Sequence, residues 1–560
     1  MRNRPSPARR AACCAVTALA ALHACILGAQ PVDTPADVPP ARHAAATAPA
    51  GALRVPVRGF EIAGSPLLPL HELHEIVQPF EHRVLGAEDL LEIRHRIDRF
   101  LFERGFVNSG AVIPDQSLDD GVVRIAIVAG RLASIEVEGT RRLRPDYVID
   151  RVAPPAGAVL DVNRVRERLQ LLQQDPLIAS VRGELRAGSV PGESELLLRI
   201  EEAPPVQAAL TLANDEPPSV GGTRLYAEAA HLDASGRGDM LRVAVGATEG
   251  LREGRVAYAV PIGATGATLR VGYERTHSTV VEDPFEQLDI ESRGESALAA
   301  VTFVLQRSLD AELALGVQLE RRTSATTLLG EPFSFYAGAT DGRATVVPLR
   351  FVQHYVRRPV DAAVALRSTL SVGLDAMGAT MHGTAPDGRF VAWLGQAQAA
   401  WRPAQAGGEL SARLEVQLAS RPLLPLERFA MGGATVVPDM AGAGGVGTVR
   451  GYRRNALVRD DAVAGSIEYG HPVWQSETGE HVITLAAFAD AGRGWNRDDG
   501  AGDARTLASV GVGVRVTGGA VRGALYWGVP LVDRPADRRD LQDHGIHFAL
   551  QWSWRGDFPP

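Results

Sequence analysis

The C-terminal two thirds of this sequence alternate between apolar and polar residues, and that pattern constrains the fold more than any other feature. From Val206 onwards helical spacing is absent, and period-two segments follow one another between Gly, Asp and Pro turns. In the last and clearest segment, four apolar residues alternate with four small or polar ones: Phe548, Leu550, Trp552 and Trp554 with His547, Ala549, Gln551 and Ser553. Successive residues of a strand face opposite sides, so each segment predicts a strand with one apolar and one polar face.

These strands suit a membrane barrel better than a soluble β-sandwich, which remains the alternative on this pattern alone. The segments are about 9–11 residues long, as a tilted membrane-spanning strand requires. Their polar positions carry Arg, Glu and Gln, which suits a polar lumen. Roughly 22 residues per strand and connection allow about 16 antiparallel strands, an even number as in bacterial barrels. The chain has no run of about 18 apolar residues, so no membrane-spanning helix is expected.

The N-terminal segment predicts export. Four arginines precede an apolar run from Ala11 to Gly28, and we expect residues 1–29 to be a cleaved secretory signal. A membrane anchor and a lipoprotein signal at Cys25 are the alternatives. Cys13, Cys14 and Cys25 all lie here, so we expect the exported chain to have neither disulfides nor thiolate zinc sites. The prolines of residues 30–56 predict an extended linker, in which only Ala41 to Ala48 could form a short helix.

Two copies of a small α+β unit fill the chain between this linker and the alternating region. We place them at residues 57–132 and 133–203, with the barrel at 204–560. The first unit has the order β-α-α-β-β, and its second helix ends at Gly105. Five apolar residues are expected on one side of that helix: Leu90, Leu91, Ile97, Phe100 and Leu101. The second unit repeats the order, and Asp161 or Asn163 caps its second helix.

Composition and motifs argue against several functional classes. The net charge of -8 does not favour a nucleic-acid partner. The chain contains no lysine, which excludes a P-loop lysine and a Lys Schiff base. There is neither a Gly-x-Ser-x-Gly elbow nor a His-Glu-x-x-His zinc motif, and His71-Glu72-Leu73-His74 has the wrong spacing. We therefore expect no enzyme, no cofactor, and neither catalytic nor metal-binding residues.

Two motifs near the C-terminus carry the candidate site. Val449-Arg450-Gly451-Tyr452 ends a Gly-rich stretch that opens at Glu427, and Phe488-Ala489-Asp490-Ala491-Gly492 follows about 40 residues later. Glycine permits close approach of a loop to a wall, and arginine offers a carboxylate a rigid planar donor fork. The residues alone leave an alternative, in which Arg450 is a solvated loop cation and Asp490 is a turn former.

In a barrel-like chain these features resemble the TpsB transporters of two-partner secretion, the haemolysin secretion/activation protein family. The first α+β unit resembles a POTRA domain through four stretches: Glu103–Val107, Ala111–Gln116, Asp120-Gly121 and Gly130-Arg131-Leu132. The resemblance implies a membrane β-barrel of about 16 antiparallel strands in the bacterial outer membrane, preceded by two small α+β POTRA domains in the periplasm.

The resemblance also implies a function and a site. The chain would recognise an unfolded TpsA-type partner and pass it through the pore without ATP. Outer-membrane lipid, and the barrel assembly machinery during biogenesis, would be its other partners. Val449, Arg450, Gly451 and Tyr452 would form the tip of the sixth extracellular loop, folded back into the barrel. Phe488, Asp490 and Gly492 would be the inner-wall motif that receives the tip, with Arg450 paired to Asp490. An assembly factor that inserts other outer-membrane proteins is the alternative function.

This sequence departs from the family pattern in three places. The insert between Gly433 and Thr448 is longer than expected. Only Ala41 to Ala48 could supply a plug helix, and either Trp554 or Phe558 could serve as the terminal aromatic signal.

Overall fold

The computed structural model describes residues 54–64, 70–117, 120–155, 158–263, 266–383, 386–403, 407–434, 448–497, 504–532 and 540–556. The predicted signal, nearly all of the predicted linker with its Ala41–Ala48 helix, most of the insert before Thr448, and Phe558 lie outside these residues. The described chain forms two compact units, which meet in sequence between Ala203 and Pro204.

The first unit opens with an α+β fold of the predicted order, to which short strands are added. Its elements are β1 (Val55–Val57), β2 (Gly59–Gly64), α1 (Leu70–Val77), β3 (Arg83–Leu85), α2 (Ala87–Glu103), β4 (Gly110–Val112) and β5 (Val122–Val128). Strand β5 is the centre of a three-stranded sheet, parallel to β2 and antiparallel to β4. Strands β1 and β3 form a separate two-stranded ladder.

Helix α2 supplies much of this core. Ile93, Ile97 and Leu101 repeat every four residues and are fully buried, whereas Leu90 and Phe100 are partly buried. The prediction for Leu91 is wrong: two residues away from Ile93 it points to the opposite side of the helix and is exposed. Gly105 follows the helix with φ of 96°, the left-handed conformation predicted for its end.

The second half of this unit repeats the architecture. Its elements are β6 (Arg131–Glu138), α3 (Pro145–Val152), α4 (Val162–Gln173), β7 (Ile178–Ala187) and β8 (Glu193–Glu202). Strand β8 lies between a parallel β6 and an antiparallel β7. Asp161 is the residue that caps α4, because its carboxylate accepts hydrogen bonds from the backbone of Asn163 and Arg164.

The second unit is all β. Its strands are β9 (Val206–Ala213), β10 (Arg224–Leu232), β11 (Met240–Ala247), β12 (Leu251–Ile262), β13 (Ala267–Thr279), β14 (Glu291–Arg307), β15 (Ala311–Leu328), β16 (Glu331–Pro332), β17 (Arg343–Val346), β18 (Pro348–Arg357), β19 (Ala362–Gly373), β20 (Val391–Trp401), β21 (Glu409–Ala419), β22 (Phe429–Met431), β23 (Leu457–Arg459), β24 (Asp461–Gln475), β25 (His481–Trp495), β26 (Arg505–Gly518), β27 (Val521–Pro530) and β28 (Ile546–Gly556).

These strands close into an antiparallel barrel. The last strand, β28, pairs with the first, β9, from Ala549 opposite Ala213 to Gly556 opposite Val206. Strands β16 to β18 run in turn along β15, and β22 and β23 pair only with each other. When β16–β18 are counted as one interrupted strand, the described residues form a barrel of sixteen strands, as predicted. Within the described residues, no helix is long and apolar enough to cross a membrane.

The alternation of the sequence sets which side chains face the lumen. In β28, His547, Ala549 and Gln551 are buried, whereas Leu550, Trp552 and Trp554 on the other face are 40–52% exposed. The predicted strand length is wrong for several strands: β14 has 17 residues and β15 has 18. Polar residues with strand propensity, such as Thr326 and Thr327, continue the hydrogen-bonded ladder past the apolar segment.

Candidate functional site

The long connection between β21 and β24, residues 420–460 and here called loop 6, folds against the inner wall of the barrel. Its strands β22 and β23 form a hairpin with Met431 opposite Leu457. Gly433 donates its N–H to the carbonyl of Tyr452 over 3.1 Å and forms an isolated bridge with Val449. Met431 and Val449 are fully buried, in one apolar cluster with Ala464 and Leu507 of the wall. Loop 6 is therefore packed on the wall by apolar contacts as well as polar ones.

Buried carboxylates fix the base of loop 6. Asp460 accepts hydrogen bonds from the backbone N–H groups of Leu423 and Arg497, and Arg428 Nε lies 3.0 Å from it. Glu427, also buried, accepts from Arg350 of β18 over 2.8 and 2.9 Å. These contacts tie the entry and exit of the loop to the strands beside them.

The tip of the loop brings Arg450 to Asp490. Arg450 donates to this carboxylate from Nε over 2.8 Å, from Nη2 over 2.8 Å, and from its backbone N over 2.9 Å. It also donates from Nη1 to Glu468 and from Nη2 to Ser466 Oγ over 3.0 Å, both on β24. Every nitrogen of the guanidinium thus has a hydrogen-bond partner on the adjacent strands β24 and β25.

The site is desolvated and balanced in charge. The side chain of Arg450 is 11% exposed and that of Asp490 is 1% exposed. A second cation, Arg515 of β26, lies with Nη1 3.0 Å from the other oxygen of Glu468. Two arginines therefore face two carboxylates, and burial strengthens each interaction relative to an exposed ion pair.

The inner-wall motif provides a surface as well as a charge. The guanidinium carbon of Arg450 lies 3.6 Å from the ring centroid of Phe488, a cation–π contact. Gly492 leaves room for the loop, because a Cβ there would lie 2.7 Å from Met431 Sδ and 3.4 Å from Val449 Cγ2. Phe488, Asp490 and Gly492 all face inwards because they occupy alternate positions of β25.

Gly451 and Tyr452 attach the tip to the last three strands. Gly451 has φ of 85°, and its N–H donates to His547 Nε2 of β28 over 3.0 Å. A Cβ on Gly528 of β27 would lie 2.8 Å from the Gly451 Cα, so the two backbones are in direct contact. The Tyr452 hydroxyl donates to the carbonyls of Ala508 and Val532 over 2.8 and 2.9 Å. The tip therefore spans from β24 to β28.

Arg453, the next residue, forms a second anchor at the loops. It donates to Asp543 in loop 8 (residues 531–545) from Nε and, over 2.7 Å, from Nη2. Its Nη1 donates to Glu282 in loop 3 (residues 280–290) over 2.7 Å. The Asp543 side chain has no exposed surface and that of Arg453 is 24% exposed. This anchor shares no residue with the one around Arg450.

A buried glutamine extends the second anchor to the barrel seam. Gln542 accepts a hydrogen bond from the backbone N of Arg454 over 2.8 Å. Its amide nitrogen donates to the carbonyls of Asn214 and Glu216, over 3.0 and 2.7 Å, in loop 1 (residues 214–223). Asn214 in turn accepts from the backbone N of Phe548 over 2.7 Å, across the junction of β9 and β28. Burial raises the pKa of Glu216 to about 7, although the neighbouring Arg224 opposes this shift.

The sequence motifs locate the centre of the site and omit its surroundings. Loop 6 brings the four motif residues of its tip to the part of the wall that carries the three residues of the second motif. Glu468, Arg515 and His547 are not predicted, because an inward-facing polar residue at the site looks like any other lumen residue in an alternating strand. Arg453 was within reach of sequence reasoning, since a second arginine directly follows the tip motif.

Two family models match the chain. The model described as haemolysin secretion/activation protein ShlB/FhaC/HecB matches residues 192–516. The model described as POTRA domain, ShlB-type, matches residues 55–130. The first covers most of the barrel strands together with both motifs of the site.

Characterised relatives include two proteins named outer membrane transporter CdiB. That of Escherichia coli is 23% identical over 516 residues, covering 85% of this chain and 79% of the relative. That of Dickeya dadantii (strain 3937) is 26% identical over 164 residues, and this match spans only 28% of the relative's length. Among solved structures, CdiB from Escherichia coli superposes with a TM-score of 0.68 at 19% identity, over 92% of this chain and 94% of the other. At this identity the superposition establishes the fold.

Proposed function

Because this chain belongs to the haemolysin secretion/activation protein ShlB/FhaC/HecB family, we propose that it translocates an unfolded exported partner protein across the outer membrane without ATP. It is an outer-membrane protein with the POTRA architecture of the TpsB-type transporters, whose α+β domains lie in the periplasm. Its partner is a TpsA-type protein that docks on the α+β domains and passes through the barrel.

The observation that carries this proposal is the seating of loop 6. A lumen lined by a removable loop can be sealed at rest and opened for a polypeptide, whereas a covalently fixed plug cannot. The loop is held by side-chain hydrogen bonds from Arg450 and Arg453 and by backbone contact at Gly451. Each is an interaction that water or a passing chain can replace. We propose that Val449, Arg450, Gly451 and Tyr452 act as the latch and that Phe488, Asp490 and Gly492 receive it.

The α+β domains offer a mode of recognition that needs no folded partner. Sheet edges at β4 and β7 each have one paired side within their own sheets. An extended polypeptide can add a strand to such an edge through backbone hydrogen bonds, and this requires the partner to be unfolded. Folding of the partner outside the cell would supply the free energy for its passage, so ATP would not be needed.

The test is secretion of a candidate TpsA-type protein, sought among the genes beside this one, when both proteins are expressed in one cell. Removing residues 57–202 is expected to abolish appearance of the partner in the medium. The barrel should still migrate as a folded, heat-modifiable band. Undiminished export by the shortened chain would contradict the proposed recognition step. An assembly factor predicts a different result, namely loss of other outer-membrane proteins when the chain is depleted.

A further inference from the structure

A group of three arginines and one histidine lies on the outer, lipid-facing side of the barrel. Strands β12, β13 and β14 carry apolar residues along most of this face, including Val256, Tyr273 and Val301. Towards loop 2 (residues 248–250) and loop 3 the same face changes to Arg252 on β12, Arg275 and His277 on β13, and Arg293 on β14. We call these four residues the outer-face patch.

The strand register places the patch side by side. Arg252 is directly opposite His277, and His277 is directly opposite Arg293. Residues paired in this way have Cβ atoms about 4.5–5.5 Å apart, so the side chains of Arg252, His277 and Arg293 are neighbours across the three strands. Arg275 lies two residues along the same face of β13 from His277. The register therefore groups three arginines around His277, and Glu295 is directly opposite Arg275.

Protein carboxylates neutralise only part of this charge. Arg293 Nη2 lies 3.2 Å from Glu291, and Arg275 Nε lies 4.0 Å from Glu295. Arg252 has neither a hydrogen bond nor an ion pair with any residue in the described ranges. The side chains of Arg275 and Arg293 are 66% and 63% exposed, so both can reach an external anion.

The height of the patch identifies that anion. The α+β unit is periplasmic and immediately precedes β9, so the β9 start is the periplasmic end of the barrel and loops 2 and 3 are extracellular. Tyr273 marks the boundary, because aromatic residues form a girdle where the apolar band of a barrel ends. Arg275 is two residues beyond Tyr273 on the same face of β13. The patch thus lies at the level of the head groups of the outer leaflet.

We propose that the outer-face patch binds the phosphate groups of the glycolipids that form the outer leaflet. The planar guanidinium donors of Arg252, Arg275 and Arg293 match phosphate oxygens in bidentate geometry. The acyl chains of the same lipid lie along the apolar residues below Tyr273. This surface is on the opposite face of the wall from the lumen site and is not part of the translocation path.

The test is binding of purified full-length protein in detergent to diphosphorylated lipid A, measured by native mass spectrometry. The change is Arg252→Gln with Arg293→Gln. Each cation near an anionic lipid surface contributes enough that losing two is expected to weaken binding about tenfold or more. The control is Arg493→Gln, an outer-face arginine near the extracellular end of β25 whose strand partners are the uncharged Val463 and Thr506. It should bind like the unchanged protein.

Three further arms make the result decisive. Lipid A with both phosphates removed should bind as weakly to the unchanged protein as diphosphorylated lipid A binds to the double variant. Inorganic phosphate alone at the same concentration should leave the lipid bound. If the double variant does not form a heat-modifiable barrel, Arg252→Gln alone decides, because it removes no ion pair. Equal affinity of the unchanged and variant proteins, equal binding of dephosphorylated lipid, or displacement by inorganic phosphate would each overturn the proposal.

Discussion

Arg450 is costly to bury, and its surroundings indicate why a single substitution should have a large effect. A buried ion pair adds little net stability over an apolar pair, but removing one partner leaves an uncompensated charge that costs ~3–5 kcal/mol. Here the loss would fall on Asp490 and Glu468, both nearly inaccessible to water. We therefore expect the arginine to act mainly by specifying where the loop tip lies.

The first prediction concerns this pair. Arg450→Ala removes two of the three hydrogen bonds from the tip to Asp490, and Asp490→Ala removes all three. Each should therefore lower secretion of the partner, while the barrel remains heat-modifiable. The exchanged variant, Arg450→Asp with Asp490→Arg, should not restore secretion, since an aspartate at 450 would face Glu468. Secretion at the unchanged level by both single variants would refute a working role for the pair.

The second prediction concerns backbone contact at the tip. Gly528→Ala should displace the tip because the added Cβ would meet the Gly451 Cα at 2.8 Å. Gly523→Ala in the same strand is the matched control, since its nearest contact is an ordinary 3.5 Å to Leu550. No cysteine follows Cys25, so a Thr448→Cys reporter in the buried tip can be labelled selectively with a maleimide.

Labelling of this reporter should be about tenfold faster in Gly528→Ala, which corresponds to ~1.4 kcal/mol of easier opening. In Gly523→Ala it should match the parent. Equal labelling in the two alanine variants would mean that the Gly451–Gly528 contact does not hold the tip.

Among the residues of the site, the sequence predicts those whose chemistry is unusual for their position. Arg450 stands between small residues in a loop, and Asp490 stands in an otherwise small and apolar strand segment, so both attract notice. Glu468 and His547 occupy inward positions where a polar residue is normal. Glu468 gains its role because loop 6 folds back onto β24, and His547 gains its role because closure of the barrel brings β28 to the loop tip.

At the scale of elements, loop 6 is held at two independent places along its tip. Arg450 attaches it to the wall, and Arg453 attaches it to loops 3 and 8. Through Gln542 the second anchor also contacts loop 1 and the junction of β9 with β28. Release of the loop tip is therefore expected to loosen the extracellular end of that junction.

The third prediction tests the second anchor. Arg453→Ala should accelerate labelling of the Thr448→Cys reporter by about tenfold, because two charge-assisted contacts are lost. Arg421→Ala is the control, an arginine of the same loop whose side chain is 54% exposed and 3.8 Å from Asp387. Adding Asp543→Ala to Arg453→Ala should add little, since both changes remove one interaction. Fully additive effects would show that the two residues act separately.

The fourth prediction is a pH dependence from Glu216 in loop 1. The pKa of this carboxyl is raised to about 7 by burial, so the folded protein holds a proton that the unfolded chain releases above about 4.5. Its contribution to stability is therefore complete below about pH 4.5 and is lost as the pH rises through about 7. The temperature at which the folded gel band disappears should fall between pH 5 and pH 8.

Glu216→Gln should remove much of this fall because a neutral amide does not titrate. Glu286→Gln, on the exposed part of loop 3, should keep it. An unchanged pH profile in Glu216→Gln would assign the dependence to another group.

At the scale of the whole molecule, the fold follows from two periodicities. Period-two alternation after Val206 predicts the barrel, and helical spacing before it predicts the α+β units. Strand ends were less predictable, since β14 and β15 continue beyond the length that a membrane requires. Their extracellular portions lack an apolar face, so alternation of hydrophobicity, the signal used to find strands, is absent there.

The whole molecule also explains why one sequence feature had two possible interpretations. A polar residue that faces the lumen of a barrel and a polar residue that faces solvent in a soluble β-sandwich look alike in sequence. The register decides between them, because β28 pairs with β9 and leaves no edge in the barrel sheet. Apolar residues such as Leu550 and Trp552 then remain on the outside, where only lipid can cover them.

Reconstitution tests most directly whether this chain moves an unfolded protein across a membrane without ATP. The purified full-length chain would be placed in liposomes, and the urea-unfolded TpsA-type partner would be added outside without nucleotide. We expect a protease-protected fraction of partner that is absent from protein-free liposomes and smaller in liposomes carrying the Arg450→Ala variant. Protection that appears only with ATP, or equally in protein-free liposomes, would contradict the claim.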